Sequence, residues 1–209
     1  MPSDDPTVLI LFAHPALEKS RVNAVLIEAV RDLPGVTFRD LYEAYPDLDI
    51  RVEHEQALLV KHDIIVLHHP FYWYSSPSIL KEYQDLVLAH GWAYGRGGEA
   101  LMGKTVLQVI TTGGRESAYR RDGINRFTIR ELLVPFEQTA RLCGMDYLPP
   151  FVAHGSLHMT PEEVLGHADD YRRLVEALRD GAVNRDAVRE HDRINSEAAM
   201  AFVGERVSG

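Results

Sequence analysis

Thr7-Val8-Leu9-Ile10-Leu11-Phe12-Ala13-His14-Pro15 is an unbroken apolar run that stops at a histidine and a proline. Consecutive rather than alternating hydrophobicity requires burial on both faces, which a strand finds in a parallel sheet covered by helices on each side. Asp63-Ile-Ile-Val-Leu-His68, Lys104-Thr-Val-Leu-Gln-Val-Ile110 and the shorter Phe151-Val-Ala153 read the same way. Gly35-Val-Thr-Phe-Arg-Asp-Leu41 alternates apolar and polar residues and reads as an edge strand. Helical spacing fills the intervals, over Asn23–Leu33, Arg51–Lys61, Ser78–Ala89, Phe127–Leu142 and Pro161–Arg179, the last opening on Thr160, Pro161 and two glutamates. Strands alternating with helices predict an α/β, doubly wound, parallel sheet with right-handed crossovers. Five strands favour the flavodoxin-like order 2-1-3-4-5, with a ligand at the carboxyl ends of the strands.

The length of 209 residues and 45% hydrophobic content suit one main domain, taken as residues 1–181, followed by a helical extension over 182–209. That extension is charged early and apolar late, and a docked helix and a frayed tail explain it equally well. A net charge of −9 disfavours nucleic acid, whose phosphates demand clustered cations. The opening residues carry no basic region or apolar core of a signal peptide, and no stretch approaches the ~20 apolar residues of a membrane span. The single cysteine, Cys143, permits no internal disulfide and sits in a helical pattern as a small hydrophobe, which points to a reducing, cytoplasmic setting.

Three loops at the carboxyl ends of predicted strands carry the chemistry. The first, Ala13 to Asn23, lacks G-x-G-x-x-G and is no dinucleotide fingerprint. It offers Ser20, Arg21 and the amides opening a helix at Asn23, either as a nest for a phosphate monoester or as a plain helix cap. The second, His69-Pro70-Phe71-Tyr72-Trp73-Tyr74-Ser75-Ser76-Pro77, sets consecutive aromatics between prolines. Their side chains cannot all reach a core, so some must cover a flat ligand or an interface between subunits. The third, Thr111-Thr112-Gly113-Gly114-Arg115, supplies hydroxyls and close backbone approach for the polar edge of a planar heterocycle, or a tight turn.

Together these residues resemble the flavodoxin-like NAD(P)H quinone reductase family over about residues 7–180. His90-Gly91-Trp92-Ala93-Tyr94-Gly95, Gly97-Gly98 and Leu148-Pro149-Pro150-Phe151 are similar to segments of its branch of ancillary proteins of glutathione-regulated potassium-efflux antiporters. The resemblance implies a homodimer with a flavin at the rim, FMN in that branch and FAD in the mammalian reductases, and NAD(P)H as co-substrate. His14, Ser20, Arg21, Val22 and Asn23 would hold the phosphate end. Phe71, Tyr72, Trp73 and Tyr74 would line the flavin ring, Thr111, Thr112, Gly113 and Gly114 would meet its polar edge, and Trp92 and Tyr94 would help to roof the pocket. Mammalian members follow the glycine loop with a Tyr and, six residues on, a His that balances charge. Here Tyr119 is the catalytic candidate, and Asn125 occupies the His position and cannot become cationic.

The expected activity is two-electron transfer from NAD(P)H to a quinone-type acceptor through one pocket used in turn, hence ping-pong kinetics. The rival expectation is a regulatory ancillary subunit docked on a membrane potassium-efflux antiporter, peripheral at the inner membrane face through that partner. The ten histidines lack tight metal-ligand spacing, and His154-Gly-Ser-Leu-His158 lies in a loop, so no metal is expected. There is no G-x-S-x-G elbow for a hydrolase. Arg115, Arg120 and Arg121 could reach a 2′-phosphate, or could be solvated.

Overall fold

A computed structural model describes residues 6–204. The ends of the expected domain and of the expected extension, 1–5 and 205–209, lie outside the described residues. The chain order is β1 (Val8–Phe12), α1 (Arg21–Glu28), β2 (Val36–Asp40), the single turn α2 (Leu41–Ala44), α3 (Val52–Lys61), β3 (Ile64–Pro70), α4 (Ser78–Val87), β4 (Thr105–Thr112), α5 (Ile129–Leu132), α6 (Val134–Leu142), β5 (Asp146–Tyr147), β6 (Phe151–His154), α7 (Pro161–Arg179), α8 (Arg185–Arg189) and α9 (Glu197–Met200). All strand pairs are parallel, in the order β2-β1-β3-β4, with both β5 and β6 on the outer edge of β4.

The two short strands are the expected fifth strand in two pieces. β5 meets β4 at Thr105 and Val106, and β6 meets it from Val109 to Thr112. Between them stand Pro149 and Pro150, which have no N–H to give to the ladder. The expected helix over Phe127–Leu142 is likewise divided at Leu133, where Pro135 opens a second helix.

Alternate residues of each strand feed opposite layers. Val8, Ile10, Val66 and Val109 pack with Leu26 of α1 and Tyr171 and Leu174 of α7. Leu9, Leu11, Ile65 and Ile110 pack with Leu59, Leu80 and Phe136 of α3, α4 and α6. Every side chain of β1, β3 and β4 is buried, as their continuous apolar runs require.

Beyond α7 the chain turns at Gly181, whose φ of +64° suits a residue without a Cβ. The expected single appended helix is instead two short ones, α8 and α9, bridged by irregular chain. Val188, Ile194, Met200 and Val203 are buried in the α1/α7 layer, so the segment is docked rather than frayed. Asn195 makes it an edge cover. Its side-chain oxygen accepts from Val152 N–H at 2.9 Å and its amide donates to Val152 C=O at 3.0 Å, occupying the open edge of β6.

Candidate functional site

The carboxyl ends of β1, β3, β4 and β6 open on a cleft of about 780 Å³. β1 stops at Phe12. The backbone then passes His14 and Pro15, makes one tight turn over Leu17–Lys19 and enters α1, with Ser20 as its N-cap. The Ser20 hydroxyl oxygen accepts from Asn23 N–H at 3.3 Å and from the Asn23 side-chain amide at 2.8 Å. Its own proton remains available to an acceptor in the cleft. The capping role and the phosphate-nest role are therefore compatible. The first N–H groups of a helix have no acceptor within it, and at α1 those belong to Arg21 and Val22.

Asn23 is buried and its side chain does not serve as a cleft donor. Its amide also donates to Thr111 Oγ1 at 3.0 Å, and its oxygen lies 3.2 Å from His68 Nε2. Amide oxygen only accepts, so His68 carries its proton on Nε2. Burial pushes the His68 pKa down to about 3, and the neutral ring holds this geometry at any physiological pH. Asn23 thus ties α1 to β3 and β4 from beneath. The Arg21 guanidinium crosses to Met159 C=O at 2.6 Å and closes one side of the cleft. His14 Nδ1 accepts from Ala16 N–H at 3.1 Å, which puts the ring proton on Nε2, and burial lowers its pKa and keeps it neutral.

The aromatic loop divides by depth. Phe71 is buried, Tyr72 and Tyr74 are half exposed, and Trp73 is 93% exposed. Ser75 N–H donates to Tyr72 C=O at 2.9 Å, closing a turn whose two central residues, Trp73 and Tyr74, have φ of +51° and +61°. That conformation normally goes to Asn-Gly and costs a residue with a Cβ about 1–2 kcal/mol. Strain of this kind, in two large aromatics standing in solvent at a cleft rim, belongs with sites that meet a ligand or a partner. Tyr74 is steadied by its hydroxyl donating to Asn125 Oδ1 at 3.2 Å.

In the third loop Thr111 and Gly113 line the cleft, whereas Thr112 and Gly114 support it from behind. The Thr112 hydroxyl donates to Gly114 C=O at 2.7 Å and lies 3.1 Å from His154 Nδ1. Among the described residues, the N–H groups of Gly113 and Gly114 have no protein acceptor. A Cβ on Gly114 would come within 3.2 Å of the Tyr119 ring, so glycine lets Tyr119 lie against the loop. Burial raises the Tyr119 pKa and keeps its phenol protonated.

Of the expected contacts, His14, Ser20, Arg21, Val22, Asn23, Phe71, Tyr72, Thr111 and Gly113 come together along the cleft. Trp73 and Tyr74 stand on the adjoining turn, and Trp92 and Tyr94 pack against the α3/α4/α6 layer. The expectation overlooked Ser156, Leu157, His158 and Met159, which follow β6 and form the opposite bank. Their signal was the strand end at His154 followed by Gly155, the same pattern that marked the other loops. Among the described residues no three His, Cys, Asp or Glu side chains converge as metal ligands.

The family described as having a flavodoxin-like fold matches residues 6–175. The chain belongs to that family. This flavodoxin-like protein is 45% identical over 177 residues to the glutathione-regulated potassium-efflux system ancillary protein KefG of Yersinia enterocolitica, covering 85% of this chain and 96% of that one. Among solved structures, general stress protein 14 of Treponema denticola, in complex with FMN, is 38% identical with a TM-score of 0.78, over 83% of this chain and 99% of that one. An NADPH-quinone reductase from P. pentosaceus is 35% identical with a TM-score of 0.73, over 80% and 96%. A structure described as a thermophilic tryptophan halogenase from Streptomycin violaceusniger is 45% identical with a TM-score of 0.78, over 80% and 97%. These names differ in activity, so the site itself must select among them.

Proposed function

We propose that the chain is a flavin-dependent NAD(P)H oxidoreductase that passes two electrons to quinones or related flat acceptors, with FMN as the flavin. The observation that carries this reading is one cleft with an anion-receptive end and an aromatic end. At the first, the α1 amides, the Ser20 hydroxyl and neutral His14 Nε2–H offer donors to a phosphate. At the second, Phe71, Tyr72 and the strained Trp73-Tyr74 turn give flat apolar surface, and the N–H groups of Gly113 and Gly114 await acceptors. The donors at the α1 end suit a phosphate monoester, which favours FMN.

Bound flavin supplies hydride acceptance from a reduced nicotinamide and onward two-electron delivery. The protein's part is positional and electrostatic. The Gly113 and Gly114 amides would offer donors to the negative charge of a reduced flavin, and Tyr119, protonated and resting on Gly114, would add a phenolic donor beside that loop. Asn125 holds Tyr74 rather than a proton. One cleft visited in turn by nicotinamide and acceptor predicts ping-pong kinetics. The exposed Trp73-Tyr74 turn is the surface we assign to a second subunit in a homodimer.

The likeness to an ancillary protein of a potassium-efflux system favours a second reading, in which flavin occupancy signals to a membrane antiporter partner. No helix among the described residues is long and apolar enough to cross a membrane, so attachment would be peripheral, through that partner. Anaerobic addition of NADH and NADPH to FMN-loaded protein, followed by a quinone, separates the two. Bleaching and recovery on a catalytic timescale supports the reductase. Retained flavin that is reduced in hours by either nucleotide leaves the regulatory subunit.

A further inference from the structure

A second cleft of about 530 Å³ lies beside the first, and the docked C-terminal segment makes one of its walls. His191, Asp192, Arg193, Ser196 and Ala198 come from that segment, which lies beyond the family match to residues 6–175. Facing them are Glu116, Tyr119, Arg120, Arg121 and Asp122, with His154 at the base. Two aromatic rings separate the clefts, Phe71 on the side of the first and Tyr119 on the side of the second. The Tyr119 ring is 6.1 Å from that of Phe71 and 5.3 Å from that of His154, and His154 in turn touches Thr112.

The lining carries a mixed chemistry. Arg120 pairs with Asp122 at 3.1 Å and Arg193 with Glu116 at 2.7 Å, while Arg121 reaches Glu131 at 2.5 Å. All three pairs have exposed members and are weak enough for a bound anion to displace the carboxylate. The one proton of the Thr112 hydroxyl goes to Gly114 C=O, so His154 must donate from Nδ1 and keep a lone pair on Nε2, which has no protein partner among the described residues. The cleft therefore offers guanidinium groups for phosphate, carboxylates for sugar hydroxyls, an aromatic ring, and one unprotonated ring nitrogen that accepts from an amine. A simple anion would use only the first of these. A purine nucleotide uses all four.

We propose that this cleft binds the adenosine-phosphate half of the reducing dinucleotide while its nicotinamide reaches over the Tyr119 partition into the flavin cleft. The inference rests on the reductase reading for the identity of the dinucleotide. It makes the C-terminal segment, which lies beyond the family match, a substrate-binding element rather than an edge cover alone.

The test is calorimetric titration of FMN-treated, desalted protein with ADP-ribose, which lacks the nicotinamide and cannot react. Ribose 5-phosphate serves as the anion control. A198W fills the cleft from an exposed position of α9, and R193Q removes one guanidinium. Wild-type protein should bind ADP-ribose in preference to ribose 5-phosphate, and each variant should weaken it roughly tenfold or more with the flavin spectrum unchanged. Equal binding of the two probes, or ADP-ribose binding unaffected by A198W, would overturn the assignment. The two claims fail separately, because flavin retention is read from the absorbance of the same sample and nucleotide binding from its heat.

Discussion

The two ends of the main cleft are organised by opposite means. At the α1 end, Ser20, Asn23, His68 and Thr111 share a buried hydrogen-bond network linking α1 to two strands, and little of it is visible from solvent. At the aromatic end, two adjacent large side chains sit in left-handed backbone, with Trp73 almost wholly in water. The first end is built from polar groups that bond to one another, with His68 Nδ1 buried and without a partner among the described residues. The second spends folding energy to present surface that only a ligand or a second subunit would cover. Polar recognition is built in beforehand, and apolar recognition is left open.

Breaking the first end should have the largest effect. Asn23→Leu leaves the His68 N–H and the Thr111 hydroxyl without their partner in the interior, and unfolding in urea should show a loss of about 3 kcal/mol, from ~1–3 kcal/mol for each unsatisfied buried group that cannot relax. Acid should act on buried histidines, His68 of this network among them. Burial holds His68 at about 3 and His69 and His154 at about 4, all below the unfolded value. The unfolded chain then binds more protons, so stability present above about pH 6.5 is lost as pH falls toward 4, by up to ~1.4 kcal/mol per pH unit per histidine. A urea midpoint series from pH 7.5 to 4.5 should fall continuously, and His68→Gln should flatten its slope.

The second end should respond with the opposite sign. Trp73→Gly removes the left-handed penalty and should stabilise the apoprotein by about 0.5–1 kcal/mol, while FMN affinity falls. A mutant that is both less stable and undiminished in flavin binding would show that the turn serves packing instead. The smallest effect belongs to Tyr74→Phe, which removes one exposed hydrogen bond to Asn125 and should change stability by no more than ~0.5 kcal/mol.

The contrast also explains what could be read before any coordinates. Continuous apolar strands and the Thr160-Pro161-Glu162-Glu163 start of α7 are local signals, and the expected Pro161–Arg179 helix coincides with the observed one. The split of the fifth strand was legible in principle from Pro149-Pro150. The break at Leu133 was legible in the same way from Pro135, although the residues on either side keep one helical periodicity. At the site, loops after strands were recognisable by composition, but the depth of each residue was not. Asn23 and Thr112 turned inward because distant partners, His68 and His154, accept or offer bonds that sequence separation hides. The bank from Ser156 to Met159 was missed because His158, paired with His154 at the end of β6, drew attention as a metal ligand rather than as part of a fourth loop at the same rim.

The central claim, that one cleft takes the phosphate of a flavin at α1 and its ring at the aromatic turn, is tested most directly by quenching of flavin fluorescence on titration with the protein, using FMN and riboflavin in parallel. The account predicts that FMN binds at least tenfold more tightly than riboflavin, a difference of about 1.4 kcal/mol or more from the phosphate end. Equal affinity for the two, or no quenching of either, would contradict it.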